Sequence, residues 1–167
     1  NTRFVAVEEA STPSLTRGVY TEESADAAGL MPQVPMYTLG RDYAPPGVLA
    51  GAMRYHGVAP IVSSLYKEKY VEAVAHGQIE SYSAGLMFTR SEGIVLSPHA
   101  MYTVKEVIEQ ALCSKAKGTE DTILFTVTPA VSTESSPYDS LLDGVMHDEQ
   151  PAEVSLKKSL GRFIGRG

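Results

Sequence analysis

Apolar runs of two different periods alternate along this 167-residue chain, and that alternation restricts its fold more than any other feature. Arg3–Glu8, Val71–Ala75 and Thr122–Val127 are short and rich in β-branched or apolar residues, so they read as buried strands. Between them the period lengthens. Pro60 suits the first turn of a helix in which Ile61, Val62, Leu65 and Tyr66 fall at helical spacing. Residues from about 79 to 90 predict a second helix, with Gly93 beyond its end. The clearest helix is predicted over Met101–Lys117. There Val104, Val107, Ile108, Ala111 and Leu112 make one stripe, and Gly118 stands where a glycine cap belongs. Strands separated by helices predict an α/β fold, a small parallel sheet with helices on both faces.

The length predicts one domain, taken as residues 1–142, and the composition is globular: 43% hydrophobic and 20% charged. No apolar run approaches the roughly 18 residues of a membrane-spanning helix, so a soluble chain is expected. A net charge of −6 gives no electrostatic reason to expect nucleic acid. The single cysteine, Cys113, excludes an internal disulfide framework, suits a reducing compartment and reads as a buried inert thiol. His56, His76, His99 and His147 lie in different loops without metal-ligand spacing, so no metal is expected. Ser97-Pro98-His99 does not read as a nucleophile and base, because proline separates them and no carboxylate orients the histidine. The chain does not begin with methionine. That suits a fragment of something longer, or import into an organelle, mitochondrion or plastid, with removal of a leader.

Two segments stand outside the alternation. Residues 9–47 are rich in proline, glycine, serine and threonine, a length without regular structure that is uncommon in a compact domain. Residues 143–167 form an acidic, then basic tail. Leu156, Leu160, Phe163 and Ile164 share a helical face beside Lys157, Lys158 and Arg162. This tail reads either as a solvated, solubilising extension or as an amphipathic segment docking on an acidic partner or a membrane surface. Gly161 and Gly165 each cost such a helix about 1 kcal/mol.

Several longer strings carry a resemblance. They are the run Met36–Pro46 (MYTLGRDYAPP), the run Leu49–Pro60 (LAGAMRYHGVAP), Val71–Ala75, Ser91–Val95 and Thr122–Phe125. Together with Ala6-Val7-Glu8 and Thr16-Arg17-Gly18, they make the chain similar to the C-terminal half of the tryptophan synthase β-chain family, in its longer second type. The resemblance, traced from about Arg3 to Leu142, implies a partial type II pyridoxal-phosphate-enzyme fold. It also implies that the family's Schiff-base lysine, its catalytic carboxylate and its glycine-rich phosphate loop fall before the matched portion. Lys67, Lys69, Lys105, Lys115, Lys117, Lys157 and Lys158 do not stand in the family's lysine context.

The matched portion departs from the family pattern where cofactor contacts are implied. After Glu92-Gly93-Ile94-Val95 the family glutamate falls on His99, its serine on Ala100 and its histidine on Tyr102. After Ile123-Leu124-Phe125, Thr128 keeps the hydroxyl that the family sets against the pyridine nitrogen, but Pro129 and Val131 replace two glycines. Proline removes a backbone donor, and valine adds a branched Cβ where close approach was possible. Asp42 still matches the aspartate of the family segment that closes over the site.

The expectation is therefore a non-catalytic, degenerate domain that binds no cofactor. It would act as a structural or accessory subunit, with other protein subunits covering the surface of the missing half. The alternative is the C-terminal half of a split pyridoxal-phosphate-dependent tryptophan synthase β chain, a lyase.

Overall fold

The computed structural model describes residues 2–130 and 136–163. They form β1 (Val5–Glu9), β2 (Val19–Ser24), β3 (Gln33–Thr38), a 3-10 turn at Gly51–Met53, α1 (Pro60–Lys67), β4 (Glu72–His76), α2 (Gln78–Glu92), α3 (Pro98–Lys117), α4 (Ser136–Leu142) and α5 (Glu153–Gly161). The chain divides into two compact units, residues 1–48, 52–75 and 149–167 in one and residues 49–51 and 76–148 in the other.

In the first unit β1 pairs with β4 in a small parallel sheet, begun where the Glu72 N–H donates to the Phe4 carbonyl at 2.8 Å. The Arg3 guanidinium grips the Glu72 carboxylate beside that bond, at 2.7 and 2.9 Å. A second sheet is the antiparallel hairpin β2–β3, with Val19 opposite Thr38 and Ser24 opposite Gln33. Its turn is tied by Asp26, whose carboxylate accepts the Leu30 and Met31 N–H groups at 2.9 and 2.8 Å. Those bonds favour the charged form and hold the Asp26 pKa below its ordinary value. Tyr20 and Tyr37 face each other across the hairpin at 5.3 Å, and Tyr66 of α1 meets Tyr37 edge-on at 5.0 Å. α1 turns its polar side to β3. Buried Ser63 accepts the Tyr37 N–H at 2.9 Å and donates to the Val58 carbonyl, while Ile61 and Leu65 face outward.

The second unit is built on the pairing of α2 with α3. The α2 N-terminus is closed by carboxylates. Glu80 accepts the Gly77 N–H and Asp148 accepts the Ile79 N–H, both at 2.9 Å, where the helix dipole favours negative charge. Gly93 and Gly118 end α2 and α3 in the left-handed conformation, with φ of 73° and 66°. Tyr82 and Tyr102 meet edge-on at 6.2 Å, and both are fully buried with Met101 and Leu96.

The helices α1, α2 and α3 fall where the spacing predicts them, α4 lies where no helix is predicted, and several expectations are corrected. The segment 9–47 is not irregular: β2 and β3 lie inside it and find their partners in each other. Thr122–Val127 is not a strand. α3 begins three residues before the predicted start, at Pro98, and its buried face is Ala100, Met101, Tyr102, Val104 and Glu106, while Leu112 is exposed. Cys113 is exposed rather than buried. No helix among the described residues is long and apolar enough to cross a membrane.

Candidate functional site

The positions aligned with the family's cofactor contacts meet at the head of α3. Here Leu96 and Pro129 form an antiparallel bridge. The Ser97 N–H donates to the Thr128 carbonyl at 2.8 Å, and the Ala130 N–H donates to the Val95 carbonyl at 2.9 Å. Tyr138 of α4 closes the pair: its hydroxyl accepts the Leu96 N–H at 3.0 Å and donates to the Leu96 carbonyl at 2.7 Å. Pro98 then starts α3 with its preset φ.

The side chains at these positions serve different ends. Ala100 is buried, and Tyr102 packs against Tyr82. His99 is exposed, with Nε2 3.2 Å from the oxygen of Ser97. Ser97 is itself 1% exposed, so its hydroxyl is not presented as a nucleophile. Thr128 is exposed, and its hydroxyl has no hydrogen-bond partner among the described residues. Val131 lies outside the described residues.

Among the described residues here, Thr128 offers pyridoxal phosphate one exposed side-chain hydroxyl. Residue 129 has no N–H to give, and that of Ala130 is committed to Val95. These residues do not by themselves fit the cofactor.

A carboxylate–imidazole cluster escaped the sequence reading. His76 Nε2 lies 2.7 Å from Glu106 of α3, and its Nδ1 lies 3.6 Å from Glu80. Lys105 pairs with Glu80 at 3.2 Å and with Glu109 at 2.5 Å. Of these pairs, His76–Glu80 and Lys105–Glu109 are four residues apart and local in the sequence, whereas those of Glu80 and His76 with α3 are not. Among the described residues no group of three side chains gathers to hold a metal ion. His56 holds backbone together, with Nε2 3.0 Å from the Ala25 carbonyl and Nδ1 3.1 Å from the Thr38 hydroxyl.

The stripe predicted to reach for a partner is largely used within the first unit. Leu156 is 3% exposed and packs with Leu39 and Tyr43, and Leu160 lies against them. Arg162 pairs with Glu23 and, at 2.6 Å, with Asp42. Lys157 and Lys158 face solvent, Phe163 is half-buried under the Arg162 guanidinium, and Ile164 lies outside the described residues. The last segment is therefore packed as part of a fold over α5, not as a solvated extension.

The architecture defines a class: a mixed α/β chain with a small parallel sheet, consistent with part of a pyridoxal-phosphate-enzyme fold. No protein-family model matches the chain. It is similar to tryptophan synthase β chain 2 of Aeropyrum pernix, 42% identical over 154 residues, which is 92% of this chain and 34% of that protein. It is also similar to the tryptophan synthase β chain of Thermococcus onnurineus, 41% identical over 90% of this chain and 34% of the other. The Aquifex aeolicus tryptophan synthase β chain 2 is 41% identical over 87% of this chain and 34% of that protein. The chain thus resembles one part of that family and spans about a third of the length of these relatives, not half. A match of 154 residues cannot fit within residues 1–142, so at least twelve of its residues fall in the segment that had been set outside the resemblance.

Proposed function

We propose that this chain is a tryptophan-synthase-β-like domain serving as a structural or accessory subunit of a larger protein assembly, without holding the cofactor itself. One observation carries the reading: the backbone that would cradle a ligand at the head of α3 is spent on the Val95–Ser97 and Thr128–Ala130 pairing. The replacements of the two family glycines by Pro129 and Val131 support it. So does the apolar surface left outward at Phe4, Ile61, Leu65 and Tyr70, which favours association with other protein subunits.

A second reading has its own observation. The unpartnered hydroxyl of Thr128 is free to meet a group brought by another chain, and Asp42 matches a family residue. The chain would then be the C-terminal portion of a split pyridoxal-phosphate-dependent lyase, whose companion supplies the lysine and the phosphate loop.

The test is the absorption spectrum of the chain isolated with whatever it assembles with. The structural reading expects no visible band that borohydride abolishes, and unchanged assembly in Thr128→Val. A borohydride-sensitive band that Thr128→Val shifts would replace it with the lyase reading.

A further inference from the structure

His76 stands between carboxylates carried by two different helices. Its Nε2 lies 2.7 Å from Glu106 Oε2 on α3, and its Nδ1 lies 3.6 Å from Glu80 Oε1 on α2. The His76 and Glu106 side chains are 13% and 8% exposed, so water screens their interaction little. The same Glu80 oxygen accepts the Gly77 N–H at 2.9 Å and closes the first turn of α2. Glu80 Oε2 faces Lys105 Nζ at 3.2 Å, and Lys105 also reaches Glu109. Glu106 Oε1 accepts from Gln110 Nε2 at 2.6 Å. Asp148 adds a further carboxylate at this end of α2, on the Ile79 N–H. Glu80, Glu106, Glu109 and Asp148 thus bring negative charge around the imidazole, with the Lys105 ammonium among them, and such surroundings favour a cationic ring.

One metal ion does not explain the arrangement. The two glutamates sit on different nitrogens of the ring, and among the described residues no group of three side chains gathers to hold a metal ion. The proton count does explain it. A neutral imidazole has one N–H. Donating it to Glu106 leaves the Nδ1 lone pair turned towards the Glu80 carboxylate, acceptor against acceptor. An imidazolium has two N–H groups and serves both carboxylates at once. We propose that His76 is a proton-operated clasp: taking up one proton from solvent at Nδ1 fastens the capped start of α2 to α3, and losing it releases Glu80. Imidazole changes charge between about pH 5 and pH 8, which sets the window of the clasp. Because the folded state favours the cation, the clasp contributes fully at the acid end of that window, and its contribution is lost as pH rises. The device is independent of whether the chain holds a cofactor.

Urea unfolding of the wild type and His76→Gln at about pH 5.5 and about pH 8 tests the clasp, with His56, His99 and His147 common to both proteins. The factor by which the wild-type folding constant exceeds that of the variant should be at least about threefold larger at the lower pH. Glu80→Gln keeps an oxygen for the Gly77 N–H but removes the charge, and it should abolish most of that pH dependence. The Gly77 amide, corrected for its intrinsic exchange rate, should lose at least about threefold in protection between the two pH values in the wild type and hold steady in Glu80→Gln. An equal gap at both pH values makes His76 a spacer and overturns the clasp, as does a gap that widens at the higher pH. A pH dependence that survives undiminished in Glu80→Gln also overturns it, because the proton then serves Glu106 alone. If His76→Gln does not fold, the comparison of the wild type with Glu80→Gln decides by the same signs.

Discussion

Arg162 Nη1 lies 2.6 Å from Asp42 Oδ2, tying the end of α5 to the loop that follows β3. The same guanidinium pairs with Glu23, whose side chain is 4% exposed against 67% for Asp42. The two carboxylates should therefore respond differently. Arg162→Met takes the cation from buried Glu23, leaving its carboxylate only the Ser24 and Arg41 N–H groups, and is expected to cost about 3 kcal/mol. Asp42→Asn disturbs only an exposed pair and should cost less than about 1 kcal/mol. Urea unfolding of the two variants decides it; equal losses would show that the Glu23 pair contributes nothing of note.

Leu156 carries the packing half of the same attachment, filling the space between Leu39 and Tyr43. Leu156→Ala is expected to destabilise by about 2–5 kcal/mol, because the cavity it leaves adds to the lost burial. Val154→Ala, at a side chain 83% exposed, should cost well under 1 kcal/mol by the same measurement. Similar losses at the two positions would mean that α5 does not pack as described.

Glu8 provides a pH dependence. Burial raises its pKa above 4.5, while the Thr16 side chain and the Leu15 and Thr16 N–H groups pull it back. A carboxyl whose folded pKa exceeds its unfolded value binds its proton more tightly in the folded state. Its stabilising contribution is complete below the unfolded value and fades as pH rises through the folded one. Relative to Glu8→Gln, the wild type should therefore lose ground in melting temperature between pH 4 and neutrality. A gain over that range would contradict the direction of the shift.

Gly85 sets how closely α2 can approach α3. A Cβ added there would stand 2.5 Å from Met101 Cγ. Gly85→Ala should overpack the contact and cost about 1–3 kcal/mol despite alanine's better helix propensity. The double variant with Met101→Ala should recover part of that loss. A Gly85→Ala protein as stable as the wild type would place the two helices farther apart.

The accuracy of the sequence reading follows how local each signal is. Pro60 before an apolar stripe, Gly93 and Gly118 after theirs, and the β-branched run of β1 act within a few residues, and the elements form where those signals stand. The candidate site was legible in part. The replacements at His99, Ala100 and Thr128 could be read directly. The bridge that commits the Ala130 N–H, and the Tyr138 hydroxyl that closes it, join positions far apart in the chain and leave no local trace.

Sequence alone determined where α1, α2 and α3 lie, where β1 and β4 run, and that the chain resembles tryptophan synthase β chains. Caps, fixed φ values and side-chain periods are properties of neighbouring residues, so no partner is needed to read them. Tertiary structure alone decided that residues 19–38 fold back on themselves as a hairpin and that Leu156 is core. It also decided that Thr122–Val127, with the composition of a strand, has no ladder. A strand exists only when a second backbone satisfies its N–H and carbonyl groups, and residue types do not specify which backbone that is.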